Sequence, residues 1–245
     1  MDVLAVYDIH GNAEALEAVL ADPRALGADA VVVGGDAVPG PEGRAVLDRL
    51  ATLEVPVHWV RGNGEREVAA AVGAAPARED DQPGLWAEFT VSELGGAEAR
   101  RLGDLPLTVE LDGVLYCHAT PRSDEEMVTK LSPPERWVAA LAGVDAPLVV
   151  AGHTHQQDDR QVGTVRFVNA GSVGLPYEGD GAARWLWVSG GEPSLRATPY
   201  DAVGAGRRML ARGFPGGESV AAALTDPVDP LEITRLFEAR AGASG

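Results

Sequence analysis

The apolar residues of the first third of the chain fall into short runs, and the stretches between those runs have helical spacing. Three apolar runs have the length of buried strands: residues 3–7, 30–33 and 55–60. Three stretches place their apolar residues on one helical face: residues 13–20, residues 44–53 and the segment from Glu65 onward. Asn12 suits a helix cap and Pro41 suits a first helical turn. This alternation predicts βαβ units and a mainly parallel sheet.

The pattern loosens in the middle of the chain. A polar loop at residues 75–84 precedes helical spacing over residues 85–102, which we interpret as a helical insertion at about 74–105. A further helix begins at Pro133-Pro134.

The second half returns to strands and closes with helices. The predicted strands are residues 107–111, 114–118, 147–151, 165–169, 184–188 and 195–198. Asp112-Gly113 and residues 189–192 are typical of hairpin turns. A helical tail is predicted for residues 201–241, with breaks at 213–217 and 226–230. We predict a single domain over residues 1–245.

Residues that commonly bind metals follow five of these strands. They are Asp8 and His10, Asp36, Asn63, His118, and the pair His153 and His155. In open α/β sheets this edge is where ligands bind. Two carboxylates, an asparagine and four histidines suit two adjacent divalent cations, an arrangement that hydrolyses phosphate esters.

Each motif by itself has a simpler explanation. Asp8-x-His10 or His153-x-His155 alone favours a turn, and His118 alone favours a buried core histidine. The combination, each member at a strand end, favours a metal site in which Asp36 can bridge two cations. His153 and His155 could bind one ion or two different ions. His58 lies inside the third strand and is assigned a structural role, and Cys117 is expected to face the core opposite His118.

Composition narrows the partners of such a site. The chain has 245 residues, and 20 basic against 37 acidic side chains give a net charge of −17. This charge disfavours binding to duplex nucleic acid and to anionic membranes. A small phosphorylated substrate can still enter a metal-lined pocket, and nucleotides are among the candidates. A single cysteine, the lack of a signal peptide and the lack of a membrane-length apolar run favour a cytoplasmic location. The oligomeric state is left open.

The motifs between Asp8 and Gly174 resemble the calcineurin-like metallophosphoesterase family. The resemblance is closest to its small prokaryotic branch, in the segments Asp8-Ile9-His10-Gly11-Asn12 and Asn169-Ala170-Gly171-Ser172-Val173-Gly174. It implies an α/β fold, a four-layer α/β/β/α sandwich of two mixed sheets flanked by helices. It also implies two divalent metals, with manganese first and iron, zinc or nickel as alternatives.

The same resemblance implies ligands and roles for individual residues. One metal would be held by Asp8, His10, Asp36 and His155, and the other by Asp36, Asn63, His118 and His153. A hydroxide bridging both metals would attack phosphorus. Asp36, Asn63 and His118 are the expected catalytic residues, and Asn12 and Asn63 are expected substrate contacts. Arg122, in the polar loop after His118, is a further candidate phosphate contact, with a solvated surface charge as the alternative.

The chain departs from the family pattern at Gly64. Many members have a histidine there that protonates the leaving group, a contribution of roughly 10²–10⁴-fold. Glu65, Arg61 and Arg122 are candidate replacements. The departure favours phosphodiesters or phosphoanhydrides, and a histidine introduced at position 64 is expected to improve monoester turnover. The alternatives are a phosphomonoesterase or serine/threonine protein phosphatase and, third, a non-catalytic metal-binding scaffold.

Overall fold

Two mixed five-stranded sheets form the centre of the protein, as the computed structural model shows for residues 1–226 and 229–243. The first sheet contains, in spatial order, β10 (Glu192–Thr198), β9 (Ala183–Ser189), β1 (Asp2–Val6), β2 (Ala30–Val33) and β3 (Val57–Trp59). Strands β1, β2 and β3 are parallel, and β9 pairs antiparallel to both β1 and β10.

The second sheet also contains three parallel strands. Its spatial order is β4 (Thr108–Leu111), β5 (Val114–Cys117), β6 (Leu148–Ala151), β8 (Val165–Ala170) and β7 (Gln157–Val162). Strands β5, β6 and β8 are parallel, while β4 and β7 pair antiparallel at the two edges. The parallel strands therefore direct their carboxyl ends to one edge in each sheet.

Helices cover the outer faces of the sheets. They are α1 (Ala13–Ala21), α2 (Gly43–Ala51), α3 (Asn63–Ala70), α4 (Gln82–Leu94), α5 (Gly96–Gly103), α6 (Pro134–Ala140), α7 (Ala202–Ala211), α8 (Gly217–Thr225) and α9 (Pro230–Ala243). Alternation along β1 assigns the layers: Val3 and Ala5 pack between the sheets, and Leu4 and Val6 pack under the helices. The predicted four-layer α/β/β/α sandwich is confirmed.

Several local predictions differ from the structure. Helix α2 begins at Gly43, so Pro41 precedes it, because the Glu42 N–H is held by the Gly11 carbonyl (3.1 Å). The predicted helix 85–102 is two helices, since Gly95 adopts a φ of 81° between them. Strand β7 was not predicted because its sequence is polar. Residues 227–228 of the predicted break at 226–230 lie outside the described residues.

Among the residues that the structure describes, no helix combines the length and the apolar character needed to cross a membrane.

Candidate metal centre

The seven predicted metal ligands lie at the carboxyl ends of parallel strands in both sheets. Asp8 follows β1, Asp36 follows β2 and Asn63 opens α3 after β3. His118 directly follows β5, and His153 comes two residues after β6. Because the sheets face each other, these strand ends converge on one site.

One group of side chains joins Asp8, His10 and His155. The Nε2 atoms of the two histidines lie 3.2 Å apart. Asp8 Oδ1 lies 3.3 Å from His155 Nε2 and 4.0 Å from His10 Nε2. Three potential ligand atoms therefore surround a space of the size that a metal ion requires.

A second group joins Asp8, Asp36 and His118. The Nε2 atom of His118 lies 3.8 Å from Asp8 Oδ1 and 3.6 Å from Asp36 Oδ1. The other oxygen of Asp36 faces the first group, 3.7 Å from His10 Nε2. The sequence assigned the bridging position to Asp36 alone, whereas the structure brings both carboxylates between the two groups.

Backbone carbonyls fix the orientation of three imidazoles. The bonds run from His10 Nδ1 to Pro39 (3.2 Å), from His118 Nδ1 to Gly34 (3.0 Å) and from His155 Nδ1 to Leu175 (2.7 Å). A carbonyl oxygen only accepts, so each Nδ1 carries a proton, and in the neutral ring each Nε2 presents a lone pair to the site.

In His153 the two ring nitrogens have exchanged roles. Its Nε2 donates to the Glu125 carbonyl (3.2 Å), which leaves Nδ1 as the nitrogen available to a metal. The ring packs edge-on against His118, with centroids 5.0 Å apart. Its backbone N–H donates to Asp8 Oδ2 (2.9 Å), so the ligand segments of the two sheets are tied directly together.

Three buried ligand atoms have no hydrogen-bond partner among the described residues: Asp8 Oδ1, Asn63 Oδ1 and His118 Nε2. Leaving such atoms unpaired costs about 1–3 kcal/mol each, and more when they are charged. All three are groups that bind divalent first-row metals. The residues present therefore fit a metal centre.

Five of the seven candidate ligands have a positive backbone φ angle. The φ angles are 51° for Asp8, 46° for His10, 53° for Asp36, 68° for His153 and 56° for His155. Among the described residues, Asp112 in the β4–β5 hairpin is the only other non-glycine residue with positive φ. Non-glycine residues in this region concentrate at functional sites, where the surrounding structure holds them in place.

A family model described as a calcineurin-like phosphoesterase superfamily domain matches residues 1–186. The chain belongs to this superfamily. Two solved structures have the same fold, and in each comparison 92% of this chain and 98% of the other chain are covered. One is a metallophosphoesterase from Sphaerobacter thermophilus (24% identity, TM-score 0.73), and the other is a hypothetical protein from Pyrococcus horikoshii OT3 (21% identity, TM-score 0.76). No curated protein matches.

Burial and neighbouring charges set the protonation states of the carboxylates and histidines at this phosphoesterase site. These states matter because metal binding is a general property of the family. Although burial opposes its charge, His155 and His118 hold the pKa of Asp8 below its ordinary value. Burial and the charge of His118 lower the pKa of His153 to about 4. At neutral pH Asp8 is therefore ionised and His153 is neutral. Against the effect of burial, the neighbouring carboxylates raise the pKa values of His118 and His155, so a metal that bound these two rings would displace protons.

Glu65 is a supporting residue that the sequence analysis did not identify as such. Its buried carboxylate accepts hydrogen bonds from the N–H groups of Asp36 (2.8 Å) and Gly62 (2.8 Å), and more weakly from Val38 (3.3 Å). Burial and the Asp36 carboxylate raise the pKa of Glu65 to about 7. The signal was a glutamate three residues after the helix-capping Gly62, which is half of a capping box.

The late Asn-Ala-Gly-Ser segment also supports the ligands. Asn169 Nδ2 donates to the Gly152 carbonyl (2.5 Å), and Ser172 Oγ donates to the Asp8 carbonyl (2.7 Å). The ring of Tyr177 stacks on His155 with centroids 4.9 Å apart. These contacts hold ligand segments from behind and do not enter the site.

Two predicted substrate contacts require correction. Asn12 is fully buried, caps α1 through the Ala15 N–H (3.1 Å) and donates to the Gly174 carbonyl (2.9 Å). Arg122 is turned outward, where its guanidinium pairs with Glu126 and donates to a helix carbonyl. The structure brings neither side chain into the metal centre. Asn63, the third predicted contact, lines the cavity beside the site, and its contact with substrate stays a prediction.

Proposed function

We propose that the protein is a metal-dependent phosphoesterase that cleaves phosphodiester or phosphoanhydride bonds. The observation that carries the proposal is that three buried ligand atoms without partners, on Asp8, Asn63 and His118, lie at strand ends that meet at one edge of the two sheets. A protein-binding platform without metals would have no reason to maintain these unpaired groups, whereas a metal-binding scaffold would keep them and is distinguished from an enzyme by the hydrolysis assay below.

The residues have distinct tasks in this proposal. His10 and His155 would hold one divalent cation, and Asn63, His118 and His153 would hold the other, with Asp8 and Asp36 between them. When bound, such a pair supplies an acidified water and neutralises phosphate charge. The carbonyls behind the imidazoles keep the Nε2 lone pairs directed inward, so the ligand set is formed before substrate arrives.

Position 64 determines whether a side chain could protonate the leaving group. A Cβ atom on Gly64 would lie closer than 3.0 Å to the Val38 carbonyl oxygen, to Pro39 Cδ and to Asp36 Oδ1. The Gly64 N–H donates to Asp36 Oδ1 (2.7 Å). The backbone of the loop after Asp36 thus fills the space that a side chain would need. A histidine added at position 64 would require this loop to move, and the gain in monoester turnover expected from it stays a prediction.

The candidate replacements for a proton donor are engaged elsewhere. Glu65 is buried and accepts three backbone hydrogen bonds, and Arg61 is paired with Asp124 (3.1 Å). Without a general acid, the site favours leaving groups that depart unprotonated, such as the aryl oxides of aryl diesters and the phosphate groups of anhydrides. Alkyl monoesters have poor leaving groups and are expected to be poor substrates.

Metal reloading tests this function. Full-length protein is stripped with a chelator, titrated with manganese and assayed for hydrolysis of bis(p-nitrophenyl) phosphate. We expect activity to rise with metal and to saturate at about two equivalents per chain. Zinc, iron and nickel, added to parallel samples, rank the metals. A chain that binds no metal, or that binds metal and hydrolyses no phosphate ester, would support the scaffold instead.

A further inference from the structure

The C-terminal helix α9 is fastened beside the metal centre. Gln156, the neighbour of His155, donates through Nε2 to the Pro230 carbonyl (2.7 Å) at the start of the helix. Thr234 Oγ1 donates to Gln156 Oε1 (2.7 Å), one turn later. The first half of α9 is therefore tied to the segment that carries the last metal ligand.

A second anchor fixes the far half of the helix. Glu238 accepts hydrogen bonds from Thr129 Oγ1 (2.6 Å), from Ser132 Oγ and from Arg136 Nη1 (2.9 Å). These partners belong to the loop before α6 and to α6 itself. Two anchors on different segments give α9 a defined position at the edge of the site.

A cavity of about 680 Å³ lies between α9 and the metal centre. The metal ligands Asn63 and His153 line one side, and Arg136 and Arg240 line the side formed by α6 and α9. Met127 is among the residues between them. This volume falls within the range of small-molecule sites and is large enough for a nucleoside with its phosphates.

Arg240 brings a guanidinium to this cavity. The side chain is exposed and its charge acts on Tyr177, which stacks on His155. A guanidinium has five N–H donors, so Arg240 can keep its contacts within the protein and still offer donors to a ligand. Arginine geometry matches a phosphate group through two parallel hydrogen bonds.

Acidic side chains make this cation important. Glu67, Glu125 and Glu126 also line the cavity, in a chain whose net charge is −17. Glu125 and Glu126 are paired with Arg66 and Arg122. An anionic group that extends from the metals into the cavity would meet carboxylates unless it reached the α9 side.

We propose that α9 is a substrate-recognition wall and that Arg240 binds a second phosphate group of the substrate, beyond the phosphate that reacts at the metals. This inference rests on the proposed function and adds a substrate class to it: nucleoside-sized phosphate esters that carry a second phosphate. Arg240 is a specificity residue in this assignment and takes no part in bond cleavage.

The test compares two probes on manganese-loaded full-length protein by titration calorimetry: thymidine 3′,5′-bisphosphate and thymidine 5′-monophosphate. We expect the wild-type chain to bind the bisphosphate about tenfold more tightly, the range of one charge-assisted hydrogen bond. Arg240→Ala is expected to remove this difference, and Arg240→Lys to restore part of it. Arg235→Ala is the matched control, because Arg235 is an exposed arginine on the same helix that does not line the cavity.

The outcomes separate this inference from the proposed function. Equal binding of the two probes by the wild-type chain, or an unchanged preference in Arg240→Ala, would overturn the role of Arg240. Hydrolysis of bis(p-nitrophenyl) phosphate is measured on the same samples and reports on catalysis independently. A bisphosphate preference that depends on Arg240, in a chain that hydrolyses no ester, would support the recognition wall and contradict the enzyme.

Discussion

At the scale of single residues, Asp36 directs one oxygen to each group of ligands. Asp36→Asn keeps the shape of the side chain and loses its charge and one metal-binding oxygen. We expect activity to fall by more than the roughly 10–100-fold that follows loss of a group merely supporting a ligand. Steady-state hydrolysis of bis(p-nitrophenyl) phosphate measures the effect, together with metal content. Asp48→Asn, at an exposed position on α2, is the control. Retained activity in Asp36→Asn would contradict a centre with two metals.

Gly64 offers a second test at this scale. Gly64→Ala forces a Cβ atom against the Val38 carbonyl and Asp36, so we expect a loss of about 1–3 kcal/mol in the free energy of unfolding and weaker metal binding. Urea unfolding and manganese titration measure both. Gly27→Ala is the matched control, because a Cβ there meets no atom within 4 Å. If the two variants behaved alike, the loop after Asp36 would not close this position.

The sequence placed all seven candidate ligands at strand ends that the structure brings to one edge, but it did not predict their side-chain conformations. The choice of nitrogen in His10, His118 and His155 depends on carbonyls of Pro39, Gly34 and Leu175. Each carbonyl lies at least twenty positions away along the chain, so no local pattern reveals it. Asn12 was misassigned as a substrate contact for the same reason, because its partner Gly174 comes from another segment.

At the scale of elements, strand ends were predictable because buried parallel strands are continuous apolar runs. Strand β7 was not predicted, because this edge strand is polar and has neither an apolar run nor alternating apolar and polar residues. The C-terminal helices carry no recognisable motif, and the place of α9 beside the metal centre follows from the contacts of Gln156 and Glu238.

Asp22 joins two elements and gives a pH-dependent prediction. Its carboxylate, at the end of α1, accepts hydrogen bonds from Arg24 (2.6 Å) and from Thr198 in β10 (2.8 Å). Hydrogen bonding from Arg24 holds the pKa of Asp22 below its ordinary value, even though burial opposes this shift. A carboxyl with a lowered pKa stabilises the fold above its unfolded pKa of about 3.9 and loses that contribution as the pH falls further.

We therefore expect Asp22→Asn to lower the free energy of unfolding at pH 7 by about 1–2 kcal/mol, because the exposed Arg24 is partly screened by solvent. The difference from the wild-type chain should shrink as the pH falls below about 4. Urea unfolding over this pH range measures it, with Asp145→Asn, an exposed aspartate, as control. A deficit that does not change with pH would show that the charge of Asp22 is not involved.

At the scale of the whole molecule, the net charge of −17 and the metal centre act in opposite directions on an anionic substrate. Metal ions bound at the meeting edge of the sheets would reverse the local sign, and we expect the remaining surface to repel large polyanions. The fold and family are those the sequence indicated. A single domain, the physiological metal and the cytoplasmic location stay predictions.

The most direct test of the central claim is a paired assay on metal-stripped protein reloaded with manganese. It compares kcat/KM for bis(p-nitrophenyl) phosphate with kcat/KM for p-nitrophenyl phosphate, two substrates with the same leaving group. We predict faster hydrolysis of the diester, because the diester carries less negative charge into a cavity lined by glutamate side chains. Faster hydrolysis of the monoester would contradict the account and make phosphomonoesterase activity the function of this site.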